Sequence, residues 1–190
     1  TAYAQSLVAA SLYVDYIFLD TEERRRMAQN PHEYLIEQLQ YTGDESVGSS
    51  SNKLKLNFNH PCKELIWTES TGTTAATFSA YGSNITNGLL KLNGHDRFDR
   101  ETAKYFTDVQ VLEHHTRRPT NSVHVYSFAL NPEEHQPSGT CNFSRIDNAV
   151  LQLTLNKTPD AAKGKANMYS NDGAFATGKT RAVSVYAPNY

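Results

Sequence analysis

Two runs decide how this chain reads: VDYIFLDTEERRRMAQNPHEYLIEQLQ at 14–40 and YSFALNPEEHQPSGTCNFSRID at 126–147. Each opens with apolar and aromatic residues suited to a strand, passes through a short polar element, and returns to strand-like sequence. Neither gathers a cluster of catalytic side chains. The polar element of the first run has the marks of a helix over about 21–29. Asp20 is a good N-cap, and Glu23, three residues on, completes a capping box. Glu22 stands three and four positions before Arg25 and Arg26, which supports the turn, and Pro31 stops it.

Working outward, the strand candidates are 7–19, 33–41, 54–58, 60–67, 89–92, 107–115, 122–130, 148–155 and 181–187. LKLNF at 54–58 alternates cleanly, with Leu54, Leu56 and Phe58 on one side and Lys55 and Asn57 on the other, as a half-buried strand does. GDESVGSSSN at 43–52, the Thr, Ser and Gly-rich 70–88 and the Gly, Asn and Lys-rich 157–180 read as loops. Residues 96–106 resemble a polar turn or short helix. Eleven Tyr and eight Phe add to the strand-forming bias. About eight strands, one marked helix and long loops, without alternating helices, predict an all-β fold. Eight antiparallel strands in two sheets form a jelly-roll sandwich.

Composition narrows the function classes. Lys and Arg total 18 against 20 Asp and Glu, a formal charge of -2, so the totals do not favour binding to nucleic acid. The basic runs Arg24–Arg26 and Arg117–Arg118 read as a solvated helix face and a loop. Two cysteines, Cys62 and Cys141, are too few for a disulfide scaffold and read as free thiols. No stretch approaches the ~20 apolar residues of a membrane helix. The chain begins at Thr1 without a signal-peptide pattern, and it reads as a piece of a longer polypeptide.

The chemistry-bearing residues meet no catalytic or metal-binding spacing. His32-Glu33 would need a histidine at 36 to form a zinc-hydrolase motif, and Ile36 stands there. His114 and His115, in an expected strand, would point to opposite faces. His60, His124 and His135 are scattered. Glu133-Glu134 lies in a Pro-containing loop, a poor place for opposed acid and nucleophile roles. Cofactors and metals are therefore expected to be none, and the chain is expected not to be an enzyme. Asn84, Asn142 and Asn156 each begin an Asn-X-Ser/Thr triplet. Asn84, in a polar loop, is the best of these for a glycan, whereas Asn142 suits a turn role.

The segments LDTEERRRMA (19–28), HEYLIEQLQ (32–40), HPCKELIW (60–67), the run at 126–147 and SVYAPNY (184–190) closely resemble the major capsid proteins of nucleocytoplasmic large DNA viruses. The resemblance leaves 41–53, 70–95 and 157–180 without motif support. It implies a double jelly roll of which this chain is the second, C-terminal roll, with the N-terminal roll and a glycine-rich C-terminal tail lying outside it. It further implies a homotrimer forming pseudo-hexagonal capsomers in an icosahedral shell. Neighbouring capsomers and minor capsid proteins would be its partners. An inner viral membrane would lie nearby without being entered, and no nucleic acid would be touched directly. The virion capsid is the expected location. Another class remains open, a carbohydrate-binding β-sandwich serving receptor attachment, which needs exposed Tyr or Trp67 to stack on sugar. Trp67 ends an apolar strand and reads as core. A jelly-roll hydrolase would need a pocket of converging acids, which the sequence does not locate.

Overall fold

Asp20 starts the first regular element. In the computed structural model, which describes residues 9–47, 49–71, 84–120, 123–155 and 181–190, its carboxylate accepts the Glu23 N–H at 2.8 Å. The helix α1 (Thr21–Gln29) follows, with Glu22 paired to Arg25 at 3.0 Å and to Arg26 at 3.8 Å. Asn30 closes it by donating its N–H to the Arg26 carbonyl, and Pro31 prevents continuation. The helix buries none of its residues. The chain divides into two units, Thr1–Leu35 and Ile36–Tyr190, and α1 belongs to the first. The expected strand at 7–19 is not formed over its described part, 9–19, which carries no regular structure. Strand-forming side chains make a strand only where a neighbour completes the ladder.

The second unit holds the sheets. Its strands are β1 (Gln38–Ser46), β2 (Ser51–Lys55), β3 (Pro61–Cys62), β4 (Glu64–Thr71) and β5 (Ile85–Leu92). Then come β6 (His95–Asp96), β7 (Glu101–Thr102), β8 (His124–Ser127), β9 (Cys141–Asn142), β10 (Ala149–Leu155) and β11 (Arg181–Asn189). One sheet runs β8-β4-β11-β3-β9, with β1 also paired to β11; the other runs β2-β10-β5-β6, with β7 also on β5. Every pairing is antiparallel. These are two sheets of a jelly-roll sandwich, with eleven strand segments among the described residues where about eight were expected. Four of the eleven are two-residue pairings at the ends of the longer ladders.

The core lies between the sheets. β10 alternates buried Ala149, Leu151, Leu153 and Leu155 with half-buried Val150, Gln152 and Thr154. In register with it stand Leu54 of β2 and Leu90 of β5, both opposite Leu151. From the facing sheet, Leu65, Trp67, Val183 and Val185 complete the same cluster. Burial of such side chains contributes roughly 1.5–3 kcal/mol each, which makes this layer the main source of stability.

Three expectations change. The strand expected at 33–41 begins only at Gln38 and continues through Ser46, into the stretch expected to be loop. A bulge between Tyr41 and Asp44 lets it bend, and Gly43 there takes φ +90, which a side chain would resist. The strand expected at 107–115 is helical: a π-turn at Tyr105–Val109 runs into α2 (Gln110–His114). Phe106, Gln110 and Val111 are the buried residues, a spacing that only a helical backbone turns inward. The Phe106 ring lies over Gly88 of β5, where an added Cβ would come within 2.9 Å of it. The polar element expected at 96–106 contributes instead the ends of β6 and β7 and the start of that π-turn. The strand expected at 89–92 is the second half of β5. The loop expected at 157–180 lies outside the described residues, as does 72–83 of the one expected at 70–88.

Candidate assembly surfaces

Two regions of this chain present unusual surfaces. The first is Leu12–Leu19 in the first unit. Leu12, Tyr13, Val14, Tyr16, Ile17, Phe18 and Leu19 are all exposed, with Tyr13 and Phe18 each at 93%. Only Asp15 interrupts them. Water-exposed apolar runs of this density mark docking surfaces in soluble proteins.

The second is the segment Asn131–Gly139, which the sequence reads as a solvated turn. The structure clamps it instead. The Glu133 carboxylate accepts the Thr116 N–H at 3.2 and 3.3 Å and meets His115 Nδ1 at 3.1 Å. The other ring nitrogen of His115 lies 2.9 Å from Glu64 Oε2, on a buried side chain of β4. An imidazole with a carboxylate on each nitrogen is best satisfied as a cation donating twice. The Glu64 hydrogen bond leads in raising the His115 pKa above its ordinary value, against the opposing effect of burial. Hydrogen bonds from Thr116 hold the Glu133 carboxyl below the usual range.

A second set of bonds fastens the same segment. The buried Lys63 ammonium, in the break between β3 and β4, donates to Glu37 at 2.7 Å and to the Glu134 carbonyl at 3.3 Å. Lys63 also lies 5.2 Å from the Tyr190 ring centroid. Its hydrogen bond keeps Glu37 more acidic than usual, and His135 adds a further contact to Glu37 at 3.3 Å. The Tyr190 hydroxyl donates to the His135 carbonyl at 3.1 Å. Gly139, at φ +144, closes the segment so tightly that a Cβ would stand 2.8 Å from the Phe128 carbonyl oxygen. The Glu133 carboxylate and the Glu134 backbone carbonyl thus act as fasteners, not as an acid pair. Their partners are Lys63, between β3 and β4, and His115 and Thr116, which follow α2, so no local motif announces the arrangement.

The other sequence-level candidates fall elsewhere. Asp20 and the backbone N–H of Glu23 form the α1 cap. Asn84 gives its N–H and its side-chain amide to the buried Glu69 at 2.9 and 3.3 Å. Asn142 caps a 3₁₀ turn at Phe143–Arg145, accepting from the Ser144 N–H, while the Ser144 hydroxyl accepts from the His60 N–H. Asn156 lies outside the described residues. His114 and His115 end and cap α2 instead of alternating on a strand. His124 stacks on Trp67 at 5.8 Å, and burial pushes its pKa down to about 4, so it packs as a neutral ring. Among the described residues, no three His, Cys, Asp or Glu side chains are grouped to hold a metal ion. Trp67 is 1% exposed, edge-on to Phe106, and offers no face to a sugar.

A family model for the large eukaryotic DNA virus major capsid protein matches residues 23–190. The chain belongs to that family. As a member of this capsid family it is 45% identical to the major capsid protein of Phaeocystis pouchetii virus over 283 residues, covering 100% of this chain and 52% of the relative. It is 50% identical to that of Pyramimonas orientalis virus over 192 residues, covering 89% and 47%. Among solved structures, the PBCV-1 virus capsid superposes with a TM-score of 0.73 at 37% identity, covering 92% of this chain and 52% of that one. The chain therefore spans about half the length of the relatives it matches.

Proposed function

We propose that this chain is the C-terminal jelly roll of a major capsid protein that builds the icosahedral shell of a large double-stranded DNA virus. The observation that carries the reading is the two-sheet sandwich itself, which superposes on a capsid subunit at 37% identity. A sandwich of facing sheets is stiff because its side chains interdigitate at crystal-like density, and stiffness is what a shell wall requires. The work is mechanical, with no catalytic role, and the surfaces that meet copies of the same protein carry it.

In this reading a second β-rich block precedes the chain in the full-length polypeptide. The exposed run Leu12–Leu19 docks into that block, where it gains strand partners and is covered. Three full-length copies close into a pseudo-hexagonal capsomer through heterologous contacts, one patch meeting a different patch on its neighbour. Such permanent interfaces commonly bury more than ~2,000 Å². Neighbouring capsomers and minor capsid proteins are the remaining partners, an inner viral membrane lies nearby without being entered, and the genome is not contacted. Asn84 remains the proposed glycan position if the protein meets a glycosylating enzyme, at the cost of its bond to Glu69.

The test is size-exclusion chromatography with light scattering on the full-length gene product. A trimer at micromolar concentration is expected. A monomer under those conditions, or a full-length product without a second β-rich block, would overturn the proposal.

A further inference from the structure

The short pairing of β3 with β9 places Pro61 opposite Asn142 and Cys62 opposite Cys141. The Phe143 N–H donates to the His60 carbonyl at 3.1 Å, which makes His60 and Phe143 a hydrogen-bonded pair of this antiparallel ladder. Cys62 and Cys141 lie two positions further along and are a pair of the same kind. Residues so placed have Cα atoms ~5.5 Å apart. That Cα separation falls within the roughly 4.4–6.8 Å that disulfides span, and the Cβ atoms, roughly 5 Å or more apart in a hydrogen-bonded pair, must draw together by about 1 Å to reach the ~3.5–4.5 Å of the bridge. Directly opposed residues send their side chains to the same face of the sheet. Here both face the core: Cys62 is fully buried in it and Cys141 packs against it, half-buried. Burial raises the Cys62 pKa, and charge on Cys141 adds to the rise. Both thiols are free in the structure.

We propose that Cys62 and Cys141 are a latent cross-strand disulfide, closed by oxidation with a small-molecule disulfide such as oxidised glutathione. Cys141 reacts first, being the more accessible thiol; burial raises its pKa, and Arg97 partly offsets that. It loses its proton to solvent and attacks one sulfur of the reagent. The reagent's S–S bond breaks and one glutathione thiolate leaves. Cys62 then gives up its proton and attacks Cys141 Sγ, expelling the second glutathione thiolate. Two protein thiols are oxidised by two electrons, and one glutathione disulfide is reduced to two thiols. The second step is slow, because burial pushes the Cys62 thiol up to about 12 and only the thiolate attacks. The product ties β3 to its neighbour β9 in the same sheet, and so anchors covalently the C-terminal end of the clamped segment Asn131–Gly139.

The experiment exposes the folded, reduced chain to oxidised glutathione at mildly alkaline pH. It reads intact mass, a non-reducing peptide map and the thermal midpoint. The expected result is the loss of two hydrogens per chain, one linked peptide containing both cysteines, and a Tm higher by several degrees that dithiothreitol reverses. Cys62→Val, which keeps the core volume, and Cys141→Ser each abolish the link and the Tm shift. A persistent glutathione adduct on Cys141 with Cys62 still reduced would overturn the proposal. So would a link that forms only between chains, or thiols that react only after denaturant is added.

Discussion

Leu12–Leu19 and β10 are built from similar material and meet opposite fates. LYVDYIFL has seven large apolar residues and is exposed along its whole length; AVLQLTL has fewer and buries every second one. Neither composition nor β-propensity separates them, since the exposed run is the more strand-like of the two. What β10 has is neighbours: β2 on one edge, β5 on the other, and a facing sheet across the core. Hydrophobicity specifies that a segment will be covered, and the rest of the fold specifies by what.

The largest effect that tests this contrast is truncation on each side of it. Leu153→Ala, at a fully buried site of β10, is expected to cost about 2–5 kcal/mol in urea unfolding. Phe18→Ala in this chain should stay within about 0.5 kcal/mol of the parent, since it empties no packed site. In the full-length protein the same Phe18→Ala should approach the cost of the β10 change. Equal, small effects in both contexts would show that the exposed run has no docking partner in the longer polypeptide.

A second contrast sets the clamped segment Asn131–Gly139 against an ordinary solvated turn. Gly139→Ala forces a Cβ against the Phe128 carbonyl at a φ that side chains resist, and should cost about 1–3 kcal/mol. Gly94→Ala is its control, because nothing lies within 4 Å of that position although its φ is also positive. A loss no greater at Gly139 than at Gly94 would mean that packing there is loose.

The histidine fastener makes a smaller, pH-dependent contribution. The folded-state pKa of His115 is raised, so its stabilisation is complete below the ordinary value of 6.5 and disappears as pH climbs through the raised value. Glu133 is depressed, so its share is present above its ordinary 4.5 and vanishes as pH falls through the lowered value. Comparing melting curves of the parent and His115→Gln, the parent's advantage should be greatest near pH 6 and shrink toward pH 9. After allowance for solvent screening it should amount to roughly 1 kcal/mol. An advantage that grows with rising pH would reverse the assignment of charge to His115.

The smallest effect belongs to the α1 cap. Asp20→Ala removes the acceptor for the Glu23 N–H and should weaken the helix locally by about 1 kcal/mol. Because α1 buries nothing, the loss should appear as faster amide exchange over Thr21–Gln29 and leave the unfolding midpoint of the sheets unchanged.

How far the fold could be read in advance depended on which forces were local. The α1 boundaries follow from Asp20, the Glu22–Arg25 and Glu22–Arg26 pairs and Pro31, all within a few residues of one another. The alternation at Leu54, Leu56 and Phe58 and along β10 reflects a two-residue period that a half-buried strand imposes. The helical course of 105–114 was not readable, because Val109 and Val111 favour extended structure alone. Phe106 settles the matter by packing over Gly88, from a different strand. The clamp was equally hidden: its bonds bring Glu133 and His135 to Glu64, Lys63, Glu37, His115 and Tyr190, which are distant in sequence.

By itself the sequence determined a β-rich chain with one capped helix, no stretch suited to a membrane helix and a strong likeness to virus shell proteins. The β-rich character, the helix and the lack of a membrane-helix stretch come from side-chain periodicity, capping and composition, which act over a few residues and need no partner; the likeness rests on matching segments such as 19–28 and 60–67. Only the tertiary structure decided that Cys62 faces Cys141 and that Glu133 is a fastener. Each depends on register between distant strands, which is set by packing across the whole sandwich.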